Sequence, residues 1–362
     1  MQKLFPDKLT DKLSFMLSSR PSIKVFFISF CVLLCGLIGV ATFITMSSSN
    51  HLENDITIEF KRGSTIRGLA YQLDQHDLLA SPGLFILWAR VKGVASRLQA
   101  GEYVIKPGVT PAKILEDVVS GRVKQYDLTL LEGWTFKQFM QAVNEHAAVR
   151  HTLHTLNDEQ IMEALGFKGE HPEGRFFPDT YFIHKDISDA EILLRAYTVM
   201  DKQLLSMWES RDTDIPLKSA YEALILASIV EKESAVPEER PVIAGVFINR
   251  LRKRMRLQTD PTVIYGMGDQ YDGDIRFRDL RKDTPYNTYT RGGLPPTPIA
   301  MPGLGSLKAV MHPDKTDYLY FVAINDDSGR HEFSSTLEQH EDAVDRYQRT
   351  SRQKARRKNN KQ

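Results

Sequence analysis

The chain has 362 residues, of which 42% are hydrophobic and 26% are charged. This balance is typical of a globular protein and excludes a disordered or fibrous one. The formal net charge of +1 indicates neither an acidic nor a basic partner. Both cysteines, Cys31 and Cys35, lie in an apolar N-terminal stretch, so the rest of the chain can hold neither a disulfide nor a thiolate metal site.

The apolar stretch at residues 25–46 contains no charged residue and predicts a transmembrane helix. About 20 apolar residues are needed to cross the hydrocarbon core of a bilayer. Residues 1–24 are basic, and the linker 47–54 is polar and then acidic, which by the positive-inside rule leaves the N-terminal segment in the cytoplasm. A cleaved signal peptide is the alternative, but its apolar core would be shorter.

A small mixed module is predicted at residues 55–131. Residues 56–60 alternate apolar and polar side chains, as a strand does, and residues 100–105 and 126–131 are predicted as further strands. Two helices follow the first strand, and a third precedes the last. The strand–helix–helix–strand order resembles a LysM-like module, a glycan-binding fold; the alternative is a generic αβ spacer.

The remaining chain is predicted to be mainly helical, so the fold class is α+β with one N-terminal transmembrane helix. Residues 132–345 form the predicted catalytic domain, with a Gly/Pro-rich region after its long helices. Residues 346–362 are rich in Lys and Arg and contain no acidic residue, which predicts a disordered tail.

One helix end carries the candidate for chemistry. Residues 223–230 are apolar almost all round, and the segment then ends in Glu231-Lys232-Glu233-Ser234. Glu233 follows Ile229 and Val230 by four and three residues, so it continues the buried stripe. Glu231 lies two positions away, on another side of the helix, so the two carboxylates cannot work as a facing pair.

A carboxylate on an apolar stripe is partly desolvated, which raises its pKa, and the negative end of the helix dipole acts in the same direction. A general acid that protonates a glycosidic oxygen needs such a raised pKa. The alternative is an ordinary charged helix end.

Several strings of residues resemble the YceG-like endolytic murein transglycosylase family. They run in order along the chain: EGRFFPDTY, ASIVEKESA, FINRL, MRLQTDPTVIYGMG, TPYNTYT, GLPPTPIAMPG and HPDKTDYLYFVA. The resemblance implies cleavage of MurNAc–GlcNAc bonds in nascent peptidoglycan strands, with 1,6-anhydroMurNAc ends and an end to strand elongation. It assigns the essential glutamate to Glu233. It also implies a LysM-like module and a catalytic domain with a lysozyme-like core.

Polar residues in the strongest strings, Gln258, Asn287 and Tyr289, are predicted to bind the substrate. No metal motif occurs, and we expect neither a metal nor a cofactor. The expected location is the bacterial inner membrane, with the catalytic domain in the periplasm. The expected partners are peptidoglycan strands and the membrane, with peptidoglycan synthases as candidates and no nucleic acid. Two alternatives stay open: a non-catalytic peptidoglycan-binding scaffold, and a lysozyme-like muramidase.

Overall fold

A computed structural model describes residues 21–326 and 328–359. About half of the chain is helical and the strands are short, which confirms a mixed α+β fold. The chain divides into two compact units, residues 1–125 and 126–362.

The first element is the apolar helix α1 (Pro21–Ser47). It is long and apolar enough to cross a membrane, and nearly all of it is exposed. The predicted helix at residues 25–46 is therefore present. Residues 1–20 of the predicted cytoplasmic segment lie outside the described residues.

The rest of the first unit is a two-stranded antiparallel sheet with helices packed on it. Its elements are β1 (Ile56–Phe60), α2 (Ile66–Gln75), α3 (Pro82–Val91), β2 (Gly101–Ile105) and α4 (Pro111–Ser120). In the sheet, Ile56 pairs with Ile105 and Phe60 pairs with Gly101. Each helix begins at a hydroxyl N-cap, which satisfies otherwise unpaired backbone N–H groups; these caps are Thr65, Ser81 and Thr110.

The boundary between the units lies earlier than the predicted one at residue 131. The strand β3 (Tyr126–Thr129) pairs antiparallel with β5 (Thr180–Ile183), and so belongs to the second unit. Strand patterns identify a strand but not its partner, which explains the misplaced boundary.

The second unit contains two buried cores. The first core surrounds α5 (Phe136–Glu145), with β3 and β5 beside it. Its further elements are β4 (Val149–Arg150), α6 (Asp158–Ala164), β6 (Ile187–Ser188) and the start of α7 (Asp189–Glu209).

The second core surrounds α8 (Ala220–Glu233), whose residues 223–230 are all buried. Around it lie α9 (Arg240–Arg252), α10 (Asp260–Met267), α12 (Leu304–Met311) and the hairpin of β7 (Tyr320–Ala323) and β8 (His331–Ser334). The short helix α11 (Phe277–Arg281) follows α10 and contains no buried residue. Helix α8 starts at the N-cap Ser219, and Ser234 is already extended. The predicted end of the apolar helix at Glu233 is therefore confirmed.

The C-terminal residues differ from the prediction of a disordered tail. The last helix, α13, spans Leu337–Asn359 and so continues through most of residues 346–362. Its sequence is rich in Arg, Lys, Gln and Ala, which have high helix propensity, and Arg349 pairs with Asp345 one turn earlier. The basic composition of residues 346–362 predicted disorder, whereas the high helix propensity of the same residues agrees with the observed helix.

Candidate active site

Glu233 lies at the wall of a cavity of about 580 Å³ within the second unit. The side chain is half-buried at the end of α8, and Thr259 Oγ1 donates a hydrogen bond to its Oε1. Thr259 is the N-cap residue of α10, and the next residue, Asp260, also lines the cavity. The end of one helix and the start of another therefore meet at the candidate acid.

Three effects set the pKa of the Glu233 carboxyl. Burial raises it most, the nearby Asp260 carboxylate raises it further, and the hydrogen bond from Thr259 lowers it; the result is a pKa of about 7. Both protonation states are thus accessible at neutral pH, as a group that first donates and then accepts a proton requires.

The Thr259 hydroxyl is itself fixed by two other buried threonines. The Thr259 N–H donates to Thr288 Oγ1 at 3.1 Å, and the Thr262 hydroxyl donates to the Thr259 carbonyl at 2.7 Å. Thr262 and Thr288 also share a hydrogen bond of 2.9 Å between their hydroxyls. This threonine network (Thr259, Thr262 and Thr288) was not identified from the sequence.

Glu231 has a different environment, as its position on the helix predicted. Its carboxylate pairs with Arg240 at 3.0 Å and accepts hydrogen bonds from Gly303 N at 3.0 Å and Ser306 Oγ at 2.7 Å. Gly303 and Ser306 belong to the first turn of α12, so Glu231 satisfies that helix start. It is a structural ion and does not line the Glu233 cavity.

Two of the three predicted substrate-binding residues line the cavity. The Tyr289 hydroxyl donates to Asp260 Oδ1 at 2.6 Å, so this half-buried ring stands beside the acidic residues. Gln258 has a left-handed backbone with φ of 51°, and its Oε1 accepts a hydrogen bond from Arg250 at 3.2 Å. A non-glycine residue in this conformation is strained, and such strain is commonest where a site must be shaped.

The third predicted residue, Asn287, does not line the cavity, and its part in substrate binding stays a prediction. Its side chain is buried, and Nδ2 donates to the carbonyls at the end of α11, those of Asp279, Leu280 and Lys282, at 3.2, 3.1 and 2.8 Å. Its Oδ1 accepts from the Tyr289 N–H at 2.8 Å. Asn287 therefore organises the loop that presents Tyr289 and Thr288, because its own polar atoms are already occupied.

Three further residues of the cavity were missed. Arg250 is almost fully buried, and its guanidinium lies over the Tyr320 ring at 5.1 Å. The His340 ring stacks on the same Tyr320 ring, with centroids 5.1 Å apart. Burial, and then the Arg250 charge, lower the pKa of His340, so its neutral form is favoured. In the sequence His340 was isolated; only folding brings α13 against β7.

The described residues contain no group of three or more His, Cys, Asp or Glu side chains placed to hold a metal ion. The arrangement instead offers one carboxyl of raised pKa, a second carboxylate beside it, and aromatic and amide groups along the wall. Such a site suits general acid chemistry on a substrate with many hydroxyl groups.

The whole chain is similar to known proteins. The chain is 33% identical over 336 residues to the endolytic murein transglycosylase of Bacillus subtilis, a match that covers 86% of the chain and 91% of the relative. It is 29% identical over 300 residues to that of Streptococcus pneumoniae strain R6, covering 74% of the chain and 54% of the relative.

A solved structure is also similar to this chain. The crystal structure of a yceG-like protein from Listeria monocytogenes is similar with a TM-score of 0.51 and 30% identity, covering 81% of this chain and 100% of that one. The model of the YceG-like family matches residues 58–346, which include most of both units beyond α1 and all the residues that line the Glu233 cavity. The chain therefore belongs to the YceG-like family.

Proposed function

We propose that this protein is an endolytic lytic transglycosylase that cuts MurNAc–GlcNAc bonds in nascent peptidoglycan strands. The observation that carries the proposal is the Glu233 carboxyl, with its pKa raised to about 7 by burial at the wall of a cavity. The names of the bacillary and streptococcal relatives support the same activity. Cutting within a strand would end its elongation.

In the first step, protonated Glu233 donates its proton to the glycosidic oxygen as the C1–O bond breaks. The sugar passes through an oxocarbenium-like state, which its own N-acetyl group can stabilise. The ionised Glu233 then takes the proton of the 6-hydroxyl of the same sugar, and that oxygen bonds to C1. The products are a 1,6-anhydro end and a free 4-hydroxyl, and Glu233 is protonated again.

A lysozyme-like hydrolase is the second candidate, because Asp260 also lines the cavity. A second carboxylate could hold a water molecule for attack on C1. However, Asp260 already accepts the hydrogen bond of the Tyr289 hydroxyl at 2.6 Å, which reduces its capacity to position water. We therefore favour attack by the substrate's own 6-hydroxyl.

The first unit supports binding of the same polymer. We propose that it is a LysM-like module that binds glycan; its order β1–α2–α3–β2, with the two strands paired, supports this assignment. For the second unit we propose a lysozyme-like core around α8. We further propose that α1 anchors the chain in the inner membrane, with residues 1–24 cytoplasmic and the chain after residue 46 in the periplasm. Peptidoglycan synthases are the proposed protein partners.

The test is digestion of purified peptidoglycan by the full-length protein in detergent, with mass spectrometry of the fragments. We expect anhydro ends, lighter by one water than reducing ends. Glu233→Gln should lower the rate by about 10²–10⁴-fold, the usual contribution of a general acid. Glu238→Gln, a change at an exposed carboxylate nearby, is the matched control and should be fully active.

Two results would contradict the proposal. Reducing ends alone would establish the hydrolase. Absence of any cleavage by the unaltered protein, with peptidoglycan still bound and Glu233→Gln binding it equally well, would establish a scaffold.

A further inference from the structure

A second, larger cavity adjoins the Glu233 cavity in the second unit. Its volume is about 790 Å³, against about 580 Å³ for the cavity at Glu233. Consecutive residues line the two: Lys232 and Pro261 face the second cavity, whereas Glu233 and Asp260 line the first. Since neighbouring Cα atoms are only about 3.8 Å apart, the ends of α8 and α10 form a thin wall between the cavities.

The lining of this second cavity combines apolar surface with groups that can hydrogen-bond to amides. The rings of Tyr265 and Tyr286 meet edge to face with centroids 4.8 Å apart. Polar side chains come from the start of α5, which contributes Thr135, Gln138 and Gln141 to the lining. A peptide has the same mixture of backbone amides and short side chains.

The second cavity also contains one cation without an acidic partner. The Lys232 ammonium donates to the Gly133 carbonyl at 3.1 Å and forms no ion pair with any residue in the described ranges. By contrast, Lys137 at the same cavity is paired with Asp269 at 2.7 Å. Lys232 is therefore the cation available to an incoming carboxylate.

The wall of the second cavity is held in place by a buried carboxyl. Glu173 accepts hydrogen bonds from Phe136 N and from the Tyr265 hydroxyl, each at 3.0 Å. These contacts fix the start of α5 to α10. Because both carboxyl oxygens are occupied, Glu173 shapes the cavity and is not a group that awaits a ligand.

We propose that this second cavity binds the stem peptide of the peptidoglycan strand that is cut at Glu233, with Lys232 facing a peptide carboxylate. The inference rests on the proposed function. In peptidoglycan the peptide branches from the lactyl group of MurNAc, one of the two sugars joined by the cut bond. A binding site for the branch must therefore adjoin the catalytic cavity without being part of it, as the second cavity does.

The experiment measures KM and kcat of the full-length protein on two substrates: soluble glycan strands with stem peptides, and the same strands after enzymatic removal of the peptides. Lys232→Gln should raise KM for peptide-bearing strands about fivefold more than KM for peptide-free strands, the effect of losing one exposed ion pair. Gln141→Trp, which narrows the mouth of the cavity from an exposed position on α5, should give a difference in the same direction.

Lys308→Gln is the matched control, because Lys308 is an exposed helical lysine away from both cavities; it should change neither KM. Thermal unfolding of each variant checks that the fold is retained. Equal changes of KM on both substrates, or no change with either variant, would overturn the peptide site. Absence of cleavage of both substrates by the unaltered protein would instead contradict the proposed function.

Discussion

At the scale of single residues, the proton affinity of Glu233 results from opposed effects on one carboxyl. Burial disfavours the charged form most, and Asp260 disfavours it further, whereas the Thr259 hydroxyl stabilises it. The resulting pKa of about 7 means that the acid form and the base form are both populated at neutral pH. One carboxyl can therefore serve both steps of a transglycosylation.

The first prediction concerns the pH profile. Because the first step needs protonated Glu233, kcat/KM should fall as pH rises through about 7, the pKa of that carboxyl. Initial rates of fragment release from peptidoglycan between pH 5 and 9 measure this limb. A rate that stays constant up to pH 9 would show that Glu233 is not the acid that limits the reaction.

The second prediction concerns the donor to Glu233. Thr259→Val removes a hydrogen bond that lowers the carboxyl pKa, so the alkaline limb of activity should move to higher pH. Maximal kcat should also decrease, because the carboxyl loses the group that orients it. The same pH series measures both effects.

Thr198→Val is the control for Thr259→Val, since the Thr198 hydroxyl bonds only to its own helix at an exposed position. An unchanged limb in Thr259→Val would mean that Thr259 does not position Glu233.

At the scale of elements, the loop after α11 depends on one buried amide. Asn287 ties the end of α11 to the residues that follow, and these include Thr288 of the threonine network and Tyr289 of the cavity wall. Removing a buried, hydrogen-bonded polar group costs about 1–3 kcal/mol of stability, because its buried partners are left unpaired. Asn287 therefore fixes the geometry of the loop, and through Thr288 it also positions the Thr259 hydroxyl that donates to Glu233.

Accordingly, Asn287→Ala should lower the free energy of unfolding by about 2 kcal/mol, because three carbonyls at the end of α11 lose their donor. Urea unfolding followed by circular dichroism measures this loss. Activity should fall with it through displacement of Thr288. A variant of full stability with weakened substrate affinity would restore Asn287 to the substrate-binding residues.

Glu231 acts at the same scale on different elements. Its carboxylate joins the end of α8 to the first turn of α12 and to Arg240 at the start of α9. Three helices of the second core are thereby fixed at the point from which Glu233 projects.

At the scale of the whole molecule, buried carboxyls make stability depend on pH. Burial raises the pKa of Glu173 to about 7, and its hydrogen bonds from Tyr265 and Phe136 only partly oppose this. The folded state then binds this proton more tightly than the unfolded state between about pH 4.5 and 7, so stability falls as pH rises through that window.

Glu173→Gln removes this titration and should flatten the decline of unfolding free energy between pH 5 and 8, by up to about 3 kcal/mol. Urea unfolding of the detergent-solubilised chain at several pH values tests this. Glu209→Gln, at an exposed position on α7, is the control and should keep the original slope. An unchanged slope in Glu173→Gln would show that this carboxyl is ionised throughout.

Local patterns predicted the elements far better than their partners. The apolar run of α1 and the end of α8 depend on neighbouring residues alone, and both were found where the pattern placed them. Strand β3 was assigned to the wrong unit because its partner, β5, lies about 50 residues further along the chain.

For the active site, the sequence by itself determined that Glu233 continues a buried stripe and that Glu231 does not, because helical spacing alone fixes which side each residue occupies. Only the tertiary structure decided which loop residues meet that carboxyl. It placed Thr259 on Glu233 and His340 on Tyr320, and it gave Asn287 a structural role. Such contacts join residues far apart in sequence, and no local periodicity encodes them.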